Sequence, residues 1–176
     1  MRIIAIGGIP AVGKTTIINN FFKYNSWWED FKFKKVYGHI NRDLSLIIVG
    51  KYGGDSIFAG TDRLSMAVHP DFKELLTLTN KYNILFEGDR LFTKSILEFC
   101  DNTANLHTII IESNDTKSRH KKRKDNQSEK FLKGRITKIN NIKNCKFNNN
   151  IRIFKNDKED EHIQIYKSIK EILNGK

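Results

Sequence analysis

The chain has 176 residues, 39% of them apolar and 29% charged, and a net charge of +11, which is about one domain with room for a buried sheet covered on both faces. No apolar run reaches the ~18 residues of a membrane helix and no basic-then-apolar leader opens the chain, so a soluble cytoplasmic protein with no membrane partner is expected. The two cysteines, Cys100 and Cys145, lack C-x-x-C spacing, which argues against a disulfide framework and against a zinc site.

The first element is a short buried strand, Ile3 to Ile6, followed by Gly7 and the run Gly8-Ile-Pro-Ala-Val-Gly13-Lys14-Thr15-Thr16. This spacing is G-x-x-x-x-G-K-[ST], the phosphate-binding P-loop. Glycines let the backbone N–H groups turn toward phosphate oxygens, Lys14 reaches the β- and γ-phosphates, and the Thr15 hydroxyl suits Mg²⁺. A helix is expected next, with Ile17, Ile18, Phe21 and Phe22 on one face. ATP and Mg²⁺ are the cofactors this predicts, with Gly8, Gly13, Lys14, Thr15 and Thr16 as the nucleotide-binding residues.

Further along, Lys35 to Ile40 and Leu44 to Tyr52 read as strands, with "NRD", which contains Asp43, as turn or site edge between them. Ahead of them lies an aromatic and basic cluster of Trp27, Trp28, Phe31, Phe33 and Tyr37 with Lys32, Lys34 and Lys35. Such a cluster suits core packing or stacking on a base. Adjacent Trp27 and Trp28 cannot both face inward, so one is expected to be exposed. "GGDSIFAGTDRLSMAVHP" reads as a glycine-rich loop with a short helix, and Pro70 opens a helix through Leu78.

"NILFEGDR" is a buried strand that ends in Glu87, Asp89 and Arg90. A carboxylate there suits a metal-bound water or an attacking hydroxyl, and a guanidinium suits a transferring phosphoryl group. An acid followed by Arg after the third strand resembles nucleoside and nucleotide kinases. No N-K-x-D guanine signature occurs. Thr93 is expected to cap a helix through Phe99, and "LHTIIIES" is the most apolar strand.

Nearly all the excess charge lies in one stretch. Residues 117–146 hold 12 basic and 2 acidic side chains, against 13 and 13 in residues 1–116 and 6 and 5 in residues 147–176. Between the fourth and fifth strands of a small P-loop kinase, such a segment serves as a lid that grips ATP phosphates and excludes water. Arg119 and Arg123, four apart, and Arg135 are the candidates. "NIRIFKN" is a last strand, and Lys158 to Leu173 a last helix. Strands alternating with helices predict a single α/β domain over residues 1–176, of the three-layer P-loop NTPase fold, with a parallel sheet and a basic lid at about 117–146.

Two stretches, "GTDRLSMAVHP" and "NQSEKFLKGRITKINNI", with the phosphate loop and "FEGDR", resemble the bacteriophage P-loop kinases that phosphorylate 5-hydroxymethyluracil in DNA during thymine hypermodification. The resemblance spans about residues 1 to 142. It implies transfer of the ATP γ-phosphate to the hydroxymethyl oxygen of a base in DNA, with Asp62 and Arg63 on the substrate side. Asp43, Asp62 and Asp89 are the candidate bases, Glu87 is the metal-side acid, and Arg90 faces substrate. The alternatives are a free nucleotide or nucleoside kinase and a nucleic-acid-binding P-loop NTPase switch.

Overall fold

A computed structural model of the chain describes residues 1–53, 59–122, 127–145, 150–158 and 160–175. The protein is α/β, built on a seven-stranded, mostly parallel sheet. Strand β1 (Arg2–Gly7) leads through the glycine loop to α1 (Lys14–Tyr24). The antiparallel strands β2 (Glu29–Phe33) and β3 (Val36–Asn41) follow, and then β4 (Leu46–Val49). Two 3-10 turns, Thr61–Arg63 and Met66–Val68, precede α2 (His69–Leu78). Next come β5 (Asn83–Glu87), α3 (Lys94–Thr103) and β6 (Asn105–Glu112). The chain continues through α4 (Thr116–Lys122), α5 (Glu129–Lys143), β7 (Ile151–Lys155) and α6 (Glu161–Leu173).

The sheet order is β2-β3-β4-β5-β1-β6-β7, and the run from β4 to β7 is parallel throughout. Both faces of β4, β5, β1 and β6 are covered, which is why they read as near-continuous apolar runs, whereas the edge strand β7 is only partly buried. Alternate residues of β1 serve opposite cores. Ile3 and Ala5 pack with Phe72, Leu75, Ile96, Leu97, Ile139 and Ile142 of α2, α3 and α5, whereas Ile4 and Ile6 pack with Ile17, Ile18, Phe21, Ile165 and Ile169 of α1 and α6. Among the described residues no helix is long and apolar enough to cross a membrane.

Several expected elements differ in extent for local reasons. The run from Leu44 to Tyr52 shortens to β4 because Ser45 (φ 46°) and Gly50 (φ 133°) sit in left-handed conformations at its two ends. Helix α6 starts at Glu161 rather than Lys158, and the Glu161 carboxylate accepts the backbone N–H groups of Asp157 and Lys158. Thr93 caps α3 as expected, accepting from the Ile96 N–H at 3.4 Å. Strand β2 was hidden in the aromatic cluster. It is a short edge strand in which only Phe31 and Phe33 pack against the core, so its alternation is brief and merges with the surrounding aromatic residues in sequence.

The contact between α1 and α6 closes one core. Phe21 is fully buried and meets the Tyr166 ring edge-on at 4.8 Å between centroids. Phe21→Ala is expected to cost about 3–5 kcal/mol of unfolding free energy by urea titration; a loss under about 1 kcal/mol would show that this core relaxes into the space.

Candidate functional site

The carboxyl ends of β4, β5 and β1 lie side by side because Val49 pairs in register with Phe86, and Ile6 with Glu87. In open parallel sheets this is the edge where ligands bind. From β1 the chain enters the loop of residues 8–13 with Gly8 at φ 144° and Gly13 at φ 95°. Neither glycine tolerates a side chain: a Cβ on Gly8 would lie 2.5 Å from the Ile111 carbonyl oxygen, and one on Gly13 would lie 2.3 Å from the Asn156 amide nitrogen. Lys14 turns back across the loop, and its ammonium donates to the carbonyl oxygens of Gly8 (2.9 Å) and Ile9 (3.0 Å). Thr16 lies exposed on the first turn of α1.

Glu87 ends β5 and is only 2% exposed. The Thr15 hydroxyl donates to its Oε1 at 3.0 Å, and the Thr61 hydroxyl donates to its backbone carbonyl at 2.9 Å. Burial pushes the Glu87 carboxyl up to about 7; the Lys14 ammonium opposes this, and the charges of Asp62 and Asp89 add to it. A buried carboxylate and a hydroxyl are hard oxygen donors that fit Mg²⁺, which takes one or two carboxylates and completes its shell with water and substrate phosphates. No group of three or more His, Cys, Asp or Glu side chains poised for a metal occurs among the described residues.

Beside this pair lies a cleft of about 620 Å³ whose walls include Asp62, Asp89, Arg90, Arg135, Lys138 and Phe131. Asp62 is held by its Oδ1, which accepts the Arg90 N–H at 3.0 Å. Burial raises the Asp62 carboxyl, the nearby Asp89 charge raises it further, and the Arg90 N–H and Lys14 pull it back. Asp89 is paired twice by α5, with Arg135 Nε at 3.3 Å and Lys138 Nζ at 3.2 Å. Arg135 also stacks on Phe131, 4.5 Å from the ring centroid. Arg90 Nη1 lies against the Met66 sulfur, and its buried Nε has no hydrogen-bond partner among the described residues. Three cations against two acids give the cleft a net positive lining suited to an anionic ligand.

The residues expected to act together are therefore sorted into two neighbouring groups. Lys14, Thr15 and Glu87 form one; Asp62, Asp89 and Arg90 form the other. Arg135, expected beside the nucleotide phosphates, lies in the second group because it pairs with Asp89. Arg119 does approach the loop: its Nη2 donates to the Asn156 carbonyl at 2.6 Å, and it pairs with Asp115 at 3.7 Å. Arg123 lies outside the described residues. Arg63 turns away from the cleft and donates to the Gly53 carbonyl at 2.7 Å. Asp43 joins neither group. It is exposed in the turn that opens β4, at the amino ends of the parallel strands, which removes it as a base or substrate contact.

The aromatic cluster does not form one platform. Trp27 is 81% exposed as expected of one member of the pair, whereas Trp28 packs edge-on against Phe22 at 5.0 Å. Two site residues escaped the sequence reading. Lys138 follows Phe131 at i+7 and Arg135 at i+3, one helix face, and that spacing was the available signal. Asn156, 4% exposed, donates to the Val12 carbonyl at 2.7 Å and so braces the glycine loop from β7; it carried no local signal.

No protein-family model matches the chain, and no curated protein matches it.

The raised Glu87 carboxyl makes a stability prediction. The folded protein holds this proton more tightly than the unfolded chain, so the stabilisation is fully present below the ordinary value of 4.5 and is lost as pH rises through about 7. Glu87→Gln is expected to be the more stable protein above pH ~7, by roughly 2–4 kcal/mol, and to flatten the fall between about pH 5 and 7. Urea titrations across pH check this; parallel pH curves for the two proteins would show that Glu87 titrates normally.

Proposed function

We propose that this protein is an ATP- and Mg²⁺-dependent kinase of the P-loop type that phosphorylates the hydroxymethyl group of a modified pyrimidine, 5-hydroxymethyluracil, in DNA. The observation that carries the reading is the adjacency of the two groups: an acid-and-cation cleft opens directly beside a Lys-Thr-Glu set at the end of a glycine loop. Phosphoryl transfer needs little covalent help from the protein, so positioning and charge are the main requirements.

Lys14 would leave the Gly8 and Ile9 carbonyls for the β- and γ-phosphates, and the loop N–H groups would receive the oxygens that its glycines leave room for. Thr15 and Glu87 would hold Mg²⁺, whose chemistry is to neutralise charge developing on the transferring group. In the cleft, Asp62 orients the acceptor hydroxyl and takes its proton as the hydroxymethyl oxygen bonds to the γ-phosphorus and the bond from that phosphorus to the ADP oxygen breaks. The raised Asp62 carboxyl is matched to a weak base, which is sufficient for a loose transition state. Arg90 meets charge on the phosphoryl group, while Arg135 and Lys138 keep α5 drawn over Asp89 and water out.

The polymer acceptor is supported by the family resemblance and by the excess of positive charge in residues 117–146. A second reading, a free nucleotide kinase, is favoured by the same Arg90, Arg135 and Lys138, which would suit the phosphate of a mononucleotide.

Incubation with γ-labelled ATP and, in parallel, hydroxymethyluracil DNA, hydroxymethylcytosine DNA, unmodified DNA and free nucleotides tests both. Label is expected on hydroxymethyluracil DNA alone, and Lys14→Ala is expected to remove it to below a few per cent of wild type. Label on free nucleotides only would select the second reading; transfer that survives Lys14→Ala would refute the phosphate-loop assignment.

A further inference from the structure

A second cleft, of about 320 Å³, lies at the same edge of the sheet, between the β2–β3 hairpin and the chain that leaves β4. Its placement follows from register. Strand β3 runs antiparallel to β4, with Gly38 opposite Val49, so the first residues of β3 lie level with the carboxyl ends of the parallel strands. The Gly50 N–H donates to the Tyr37 carbonyl at 2.8 Å and fixes the hairpin there. Beyond it, Lys51 exchanges both backbone hydrogen bonds with Gly60, and Gly60 fits against Glu87 so closely that a Cβ would lie 2.3 Å from Oε1. The turn that continues from Gly60 thus stands as a partition between two clefts, with Asp62 on the wall of the larger and Arg63 on the wall of the smaller.

The lining of the smaller cleft has a recognisable chemistry. Phe31, Tyr37 and Tyr52 supply aromatic surface, Lys51 and Arg63 supply positive charge, and Asp30 is the acid at its margin. The Lys51 ammonium lies 4.1 Å from the Tyr37 ring centroid, with Lys32 at 5.3 Å. A flat apolar face bordered by cations is the pattern that binds single-stranded nucleic acid, stacking a base and tracking its phosphate. The volume is at the small end of the range for ligand sites. Nothing in the catalytic assignment uses Tyr37 or Lys51.

We propose that this second cleft is a subsite for the nucleotide next to the acceptor in a single DNA strand, with its base on Tyr37 and its phosphate between Lys51 and Arg63. The inference rests on the proposed function for the acceptor in the larger cleft. It explains how an enzyme with one reactive cleft would hold a polymer: the strand passes over the Asp62–Arg63 partition, one nucleotide on either side. A base stacked on Tyr37 displaces an ammonium from the ring, and that ammonium then meets the adjoining phosphate.

The test compares a fluorescein-labelled single-stranded hexanucleotide containing one 5-hydroxymethyldeoxyuridine with 5-hydroxymethyldeoxyuridine monophosphate. Hexanucleotide binding is followed by anisotropy between about 50 and 200 mM salt, the monophosphate by competition, and phosphorylation of each is followed in parallel. Lys51→Gln and Tyr37→Leu are each expected to weaken hexanucleotide binding at least about fivefold, and Tyr37→Phe to retain it. Lys51→Gln is also expected to lower the slope of log affinity against log salt by about 0.7, and to leave monophosphate binding within about twofold. Hexanucleotide binding that is absent in wild type, or unchanged in both Lys51→Gln and Tyr37→Leu, overturns the subsite. So does an equal loss for both ligands in Lys51→Gln, and so does a wild-type KM that is the same for both; in those cases the kinase reading stands on its own phosphorylation result. If wild type binds the hexanucleotide through Lys51 and Tyr37 yet phosphorylates neither ligand, the subsite stands and the kinase reading falls.

Discussion

One buried carboxylate organises the functional edge of this protein. Glu87 is carried to the end of β5 by the parallel register with β1, and there it has almost no contact with water. A charge in that position is unfavourable unless it is matched, and the surroundings match it only in part, so the carboxyl is pushed up to about 7. Thr15 donates to it from α1, and Lys14 is the cation nearest in effect. The chain around it is stripped of side chains where it must come close. Gly60 (φ 69°) lies against its carboxyl group, Gly50 (φ 133°) packs against the Gly60 backbone, and Gly88 (φ 110°) follows it against Thr61. A side chain at Gly60 would collide with the group that the loop of residues 8–13 and the turn of residues 60–63 both depend on.

From that centre the division of labour follows. Asp89, separated from Glu87 by a single glycine, lines the larger cleft, so the two acids at the end of β5 fall in different groups. Asp62 arrives from the other direction, on the turn that Gly60 makes room for, and is fixed by the Arg90 N–H. Helix α5 is tied to the same place by Arg135 and Lys138 on Asp89, and to β6 by the Lys143–Glu112 ion pair. On the far side of the glycine loop, Asn156 joins Val12 to the backbone that receives Arg119. The basic segment thus touches the site at both flanks, α4 beside the loop and α5 over the cleft.

Much of this was legible in sequence, and the limits were physical. The glycine loop, the helix after it, the buried strands β5 and β6 and the Thr93 cap each carry a local signal: a fixed spacing, a period, or a side chain that can hydrogen-bond its own backbone. Glu87, Asp89 and Arg90 were visible because a strand that ends abruptly in charge is unusual. What could not be read was direction. Arg135 and Arg119 are both cations of the basic segment, yet one faces Asp89 and the other the glycine loop, a choice made by how α4 and α5 cross the sheet edge. Asp43 and Asp62 are both acids in polar turns, and only the strand polarity decides that one lies at the amino ends and the other at the carboxyl ends. Asn156 is the extreme case, since its contact spans 144 residues of chain.

The central claim of the proposed function is that the Glu87 carboxyl, pushed up to about 7 by burial, would be drawn into its charged form by Mg²⁺ arriving with the nucleotide. Calorimetric titration of Mg·ATP into the protein at pH 7, in two buffers of different ionisation enthalpy, reads the protons released on binding. With the carboxyl at about 7, roughly half of the molecules carry the proton at that pH, so wild type is expected to release up to about half a proton per ATP bound and close to none at pH 9. Glu87→Gln is expected to release none at either pH. Binding heats that are independent of buffer in wild type, or equally dependent in wild type and Glu87→Gln, would contradict the account.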